Sequence, residues 1–88
     1  MFNPNIISKC LTKDDIIEIP SSLEKYSIHF YVERGEVKIY YNSLDNIPPL
    51  FLYNGAKWNN RFLKNVVSKL IIQGLDEFKL WIIVERIP

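Results

Sequence analysis

The stretch that most constrains the fold is an alternation running from Lys25 to Asn42 around one glycine. In residues 25–33 the even positions are Tyr26, Ile28, Phe30 and Val32, and the odd ones are Lys25, Ser27, His29, Tyr31 and Glu33. After Arg34-Gly35 the parity flips: Val37, Ile39 and Tyr41 are apolar, while Glu36, Lys38 and Asn42 are polar. A period of two is the mark of a strand with one buried face. Gly35 permits the positive φ that tight hairpin turns require. The pattern predicts a β-hairpin over 25–42, with Val32 facing Val37, Phe30 facing Ile39 and Ile28 facing Tyr41. A shift of one residue would set each apolar side chain against a polar one. A strict two-residue loop would oppose Glu33 and Glu36, so a looser turn over 33–36 is expected.

The remaining elements are read in the same way. The first dozen residues could form a short helix, with Asn3 as N-cap, Pro4 in the first turn, and Ile7, Cys10 and Leu11 on one face. Residues 15–19, Asp-Ile-Ile-Glu-Ile, read as a short strand closed by Pro20. Residues 50–53 read as another, closed by Asn54-Gly55. From Trp58 to Gln73 the spacing of Trp58, Phe62, Leu63, Val66, Val67, Leu70 and Ile71 predicts an amphipathic helix ending at Gly74. Residues 77–87 read as a last strand, apolar on both faces and hence central or covered on both sides. The expected fold class is α+β. A mostly antiparallel sheet of about four to five strands carries the 58–73 helix on one face, within a single globular domain spanning residues 1–88.

Composition narrows the function classes. With 88 residues, there is room for one core and no separate catalytic domain. Hydrophobic residues at 48% exclude a wholly disordered chain. Cys10 is the only cysteine and His29 the only histidine, so neither a disulfide framework nor a cysteine-based zinc site is expected. No cofactor and no metal are expected. No apolar run reaches the ~20 residues of a membrane helix, and the N-terminus lacks the pattern of a signal peptide, so a cytoplasmic protein without a membrane partner is expected. The formal net charge of +1 hides a mild asymmetry. Residues 1–36 carry four bases and six acids, and residues 37–88 carry seven bases and four acids.

The second face of the predicted sheet carries the most information. It would gather His29, Tyr31 and Tyr40 from the hairpin with Trp81, Ile83 and Ile87 from the last strand. Either the N-terminal segment covers this surface, or it binds a partner. Tyr and Trp suit an interface, since each offers large, stiff contact area with a polar tip. The leading expectation is a protein-interaction module (an inhibitor, adaptor or small subunit) that binds through His29, Tyr31, Tyr40 and Trp81 to a protein partner or to itself as a homodimer. The alternative is nucleic-acid or anion binding through Lys57, Arg61 and Lys64 on the polar side of the predicted helix, where bases beside a helix N-terminus break the usual dipole rule. A third reading is a small metal-independent ribonuclease-like enzyme using His29 with Tyr31, Lys38 and Tyr40. No catalytic residue is assigned. The glycines Gly35, Gly55 and Gly74 read as turns or caps rather than as a phosphate loop.

Overall fold

The computed structural model describes residues 5–20 and 22–87, with side chains from residue 7 onward. Every element among them is a strand: β1 (Asn5–Leu11), β2 (Asp15–Glu18), β3 (Lys25–Arg34), β4 (Val37–Tyr41), β5 (Leu50–Leu52), β6 (Lys57–Leu63), β7 (Lys69–Gly74) and β8 (Lys79–Arg86). They form two four-stranded sheets with the orders β1-β8-β3-β6 and β2-β7-β4-β5. Every pairing is antiparallel. The inner faces of both sheets contribute to one hydrophobic core, so the architecture is a β-sandwich. The α+β expectation is therefore corrected to all-β. Among the described residues no helix is long and apolar enough to cross a membrane.

The strands at 25–34 and 37–41 exist, and their inward parity is as the alternation requires. Tyr26, Ile28, Phe30, Val32, Val37 and Ile39 are all buried. They do not form a hairpin, however. β3 pairs with β8 and β6, whereas β4 pairs with β7 and β5 in the other sheet. The predicted partners Val32 and Val37 thus lie on opposite sheets. Alternation states which side chains face the core, but a strand can meet that condition beside its neighbour or across the core from it. Gly35, at φ 88°, makes the crossing. The opposition of Glu33 and Glu36 is avoided, and Glu33 instead meets Lys79 of β8, Oε2 to Nζ at 3.3 Å.

The helix over 58–73 is replaced by β6, a turn at 64–66 and β7. Trp58 and Phe62 are four apart, a spacing that places side chains together on a strand as well as on a helix. Asn60 between them is inward by parity, since it pairs with the buried Ile28, yet it is exposed. The backbone N–H groups of Val66 and Val67 both donate to the Leu63 carbonyl, which turns the chain into the second sheet. The β-branched run in β7 favours an extended chain over a helix. The short N-terminal helix is likewise replaced by β1, in which Ile7 and Leu11 face the core and Cys10 faces out, exposed. Its expected cap, Asn3-Pro4, lies outside the described residues.

An aromatic row closes the core beside β6. Phe30 stacks on Trp58 at 5.5 Å between centroids, Trp58 lies 6.4 Å from Phe62, and Phe62 meets Tyr26 at 6.2 Å and Tyr41 at 5.3 Å. The Tyr26 hydroxyl donates to the Val67 carbonyl. Burial pushes both the Tyr26 and the Tyr41 phenols up to about 12, because an ionised phenolate would lose its hydration there.

Two predictions follow from this packing. A Cβ on Gly35 would meet the Glu77 carbonyl and lie 2.8 Å from Phe78 Cβ, whereas at Gly55 (φ 83°) nothing lies within 4 Å. Gly35→Ala should therefore cost roughly 2–4 kcal/mol in urea unfolding, and Gly55→Ala only about 1–2 kcal/mol from the backbone penalty. The raised phenol values also set an alkaline limit. Stability from neutral Tyr26 and Tyr41 is complete below about pH 10, their unfolded value, and is lost as pH rises through about 12. Urea midpoints should fall across that window, and Tyr41→Phe should shrink the fall.

Candidate functional site

The outer face of the first sheet collects most of the chemistry. Its positions follow from strand parity and register. β3 contributes Ser27, His29, Tyr31 and Glu33; β8 contributes Lys79, Trp81, Ile83 and Glu85; β6 contributes Lys57, Asn59 and Arg61; β1 contributes Ser8 and Cys10. One row across the strands reads Lys57, Tyr31, Trp81, Cys10, and the next reads Asn59, His29, Ile83, Ser8. A shallow recess of about 220 Å³ lies between these rows. Tyr31 and Trp81 are 37% and 40% exposed, enough for a partner to reach both rings.

Charged groups hold the rings in place. The Trp81 indole N–H donates to Glu33 Oε1 at 3.0 Å, and Lys79 bridges the other oxygen of the same carboxylate. The Lys79 ammonium lies 5.6 Å from the Trp81 ring centroid, and the Lys57 ammonium lies 5.6 Å from that of Tyr31. Both contacts have cation–π geometry. His29 Nε2 lies 2.8 Å from Glu85 Oε1, with Ser27 Oγ at 3.4 Å. The indole hydrogen bond, followed by the Lys79 ammonium, holds the Glu33 carboxyl below its ordinary value.

The residues expected from sequence are distributed unevenly. His29, Tyr31 and Trp81 share this face. Tyr40 does not: it stands on the outer face of the second sheet, opposite Ile71 of β7. Lys38 stands there too, opposite Phe51 and Gln73. The acid–base set of His29, Tyr31, Lys38 and Tyr40 is therefore divided between opposite sides of the molecule. This separation is a consequence of the crossing at Gly35. Lys57 and Arg61 do stand together, on the outer face of β6. Lys64 lies beyond them in the turn, half-buried, with its N–H bonded to the Glu24 carbonyl. Because β6 is a strand, the anion site at a helix N-terminus does not exist.

Two features escaped the sequence reading. Lys57 stands directly beside Tyr31, with Asn59 and Arg61 farther along the same face beside His29 and Ser27, which a period-two reading of residues 57–63 would have placed. The second sheet also has an apolar outer patch, where Ile16 pairs with Ile71 and Leu44 lines the same recess. Among the described residues, no group of three or more His, Cys, Asp or Glu is placed to hold a metal ion.

The bond between Trp81 and Glu33 gives a direct test. Glu33 should stay ionised to a pH below the ordinary glutamate value and release the indole only when protonated. The Trp81 indole N–H resonance should therefore titrate with a midpoint below the ordinary glutamate value. In Glu33→Gln that titration should vanish. A midpoint at or above the ordinary value would show that the bond does not form in solution. Comparison with protein-family models, with curated proteins and with solved structures returns no match for the chain.

Proposed function

We propose that this chain is a small protein-interaction module whose docking surface is the outer face of the first sheet. The supporting observation is the exposed pair Tyr31 and Trp81, seated side by side and oriented by Lys57, Glu33 and Lys79. Tyr and Trp at the centre of a contact, ringed by polar groups, have the composition of an energetic hot spot. Rings already held in place lose less conformational freedom on binding. The charge pattern suggests what the partner presents. Glu33 is paired with Lys79, and Glu85 with His29, whereas Lys57 and Arg61 form no salt bridge among the described residues. The fitting partner is a protein surface with an apolar side chain over the aromatic pair and carboxylates toward β6.

One observation favours a second reading. Lys57 and Arg61 stand on the same face as Tyr31 and Trp81, as a single-stranded nucleic acid would need for stacking and phosphate contact. One feature weighs against it: Glu33 and Glu85 lie within the face and would repel phosphates.

The test compares capture from source-cell lysate by the wild type, Trp81→Ala and Tyr40→Ala, with and without nuclease. Trp81 is largely outside the core, so its removal should leave the fold intact, as thermal unfolding would verify. A partner protein that resists nuclease, binds Trp81→Ala at least ~10-fold more weakly and binds Tyr40→Ala normally supports the proposal. Equal capture by Trp81→Ala overturns it. Loss of the captured material on nuclease treatment transfers the face to the second reading.

A further inference from the structure

A β-sandwich has open edges, and this one treats its four edges differently. β1, β2, β5 and β6 are the outermost strands of their sheets. An inward-facing charge at an exposed edge blocks further strands, because pairing would bury it. β1 has such a charge in Lys9, which pairs with the buried Ile82 and is itself exposed. β2 has Asp15, paired with the buried Ile72 and also exposed. β5 is only three residues long. β6 has seven residues, and its inward positions are Trp58, Asn60 and Phe62, with no charge among them. Both aromatics are only half-buried.

The hydrogen bonds show which backbone groups of β6 are not used by β3. Lys64 N–H donates to the Glu24 carbonyl and Val32 N–H to the Ala56 carbonyl, bracketing the β3–β6 ladder. Even-numbered residues of β6 therefore bond to β3. The N–H and C=O groups of Lys57, Asn59 and Arg61 and the N–H of Leu63 point to the open edge, while the Leu63 carbonyl is taken by Val66 and Val67. Arg61 N–H bears this out, since its acceptor is the Asn60 side chain at 2.8 Å rather than a neighbouring strand.

We propose that a second copy of this chain occupies that edge, with β6 pairing antiparallel to the partner's β6 about a two-fold axis at Asn60. The β6 sequence is complementary to itself in this register. Trp58 lies opposite the partner's Phe62, Asn59 opposite the partner's Arg61, Lys57 opposite the partner's Leu63, and Asn60 opposite the partner's Asn60. The half-buried aromatics cover one another, and no like charges are directly opposed. Sliding by two residues one way sets Lys57 against the partner's Arg61; sliding the other way sets Arg61 against the partner's Arg61. Both are unfavourable. A slip of one residue would turn Trp58 and Phe62 toward the partner's outer face. In the favoured register Lys57 and the partner's Arg61, and the two Arg61 side chains, are only diagonal neighbours, ~7–8 Å apart and in water, where their repulsion is weak.

The test is the mass of the full chain by sedimentation equilibrium across micromolar to millimolar concentration. The wild type should move from 10.4 kDa toward twice that value. Asn60→Lys places two like charges on the axis, in the kind of position Lys9 already fills on β1. It should raise the dimer dissociation constant at least ~10-fold. Mixing Asn60→Lys with Asn60→Asp should restore a mixed dimer. If Asn60→Lys fails to fold, Asn59→Pro removes an N–H directed to the open edge without touching the β3 ladder, and should give the same monomer. In a Cys10→Ser background, Asn60→Cys should cross-link on mild oxidation, because paired copies on the axis lie at a close, non-hydrogen-bonded position. A wild type that stays monomeric at every concentration overturns the proposal, as does a dimer that folded Asn60→Lys or Asn59→Pro leaves unchanged.

Discussion

The packing of Phe78 against two glycines sets the path of the chain. Phe78 is buried; its ring occupies the space where Gly74 would carry a Cβ, and a Cβ on Gly35 would run into the Glu77 carbonyl and the Cβ and Cα of Phe78. Gly35 lies between β3 and β4, and Gly74 ends β7 just before the turn into β8. Both connections cross from one sheet to the other. The Leu75 N–H bonds to the Glu36 carbonyl, so the two crossings are also joined by backbone. Glu77 and Phe78 thus fill the end of the sandwich where two crossings meet, and neither connection can gain a side chain without displacing them. β3 is thereby committed to β8 and β6, and β4 to β7 and β5.

That commitment determines what stands on the outer faces. Because β3 lies between β8 and β6, its odd-numbered residues have neighbours on both sides. Tyr31 lies between Trp81 and Lys57, and His29 between Ile83 and Asn59. A central strand is the place where a solvent-facing aromatic can be flanked on both sides. Tyr40, nine residues beyond Tyr31, is carried to the opposite side of the molecule and finds Ile71 instead. The aromatic face is a product of long-range pairing between residues near 30, 58 and 82, and the hairpin contact on which its composition was first read is absent.

The inward faces of β3, β4 and β8 were legible in the sequence because these strands alternate cleanly over buried partners. So was the central position of β8, from its apolar residues on both faces. Two of the strands expected as helix share a cause. β1 and β6 are edge strands, and each has a polar residue at the inward position between two apolar ones: Lys9 between Ile7 and Leu11, and Asn60 between Trp58 and Phe62. Apolar residues four apart satisfy a helical period and a strand period alike, and only the residue midway distinguishes them. At an edge that residue can remain in water, so the strand tolerates a polar side chain that a central strand would not. At β1 that inward residue is a charge, which also blocks a further strand, whereas the uncharged Asn60 of β6 does not. Glycine-supported crossings fail for a different reason: nothing local distinguishes Gly35 in a hairpin from Gly35 in a corner.

The open edge and the aromatic face are physically connected through β6. Its inward residues close the core beside Phe30, its outward residues flank Tyr31, and its odd-numbered backbone groups face solvent. In a two-fold pairing that keeps inward residues with inward residues, the outer faces of both first sheets lie on the same side. Tyr31 would then stand one strand, β6, from the axis and Trp81 one strand farther, with both aromatic pairs on a single continuous surface. A partner with two copies of the complementary patch would engage both at once. Its second contact would be intramolecular, so overall affinity would exceed that of either face without any new kind of contact. The same arrangement draws Lys57 and Arg61 from both copies toward the axis and concentrates the uncompensated positive charge midway between the aromatic pairs. An acidic segment between two apolar anchors is the partner chemistry that would use every part of that surface.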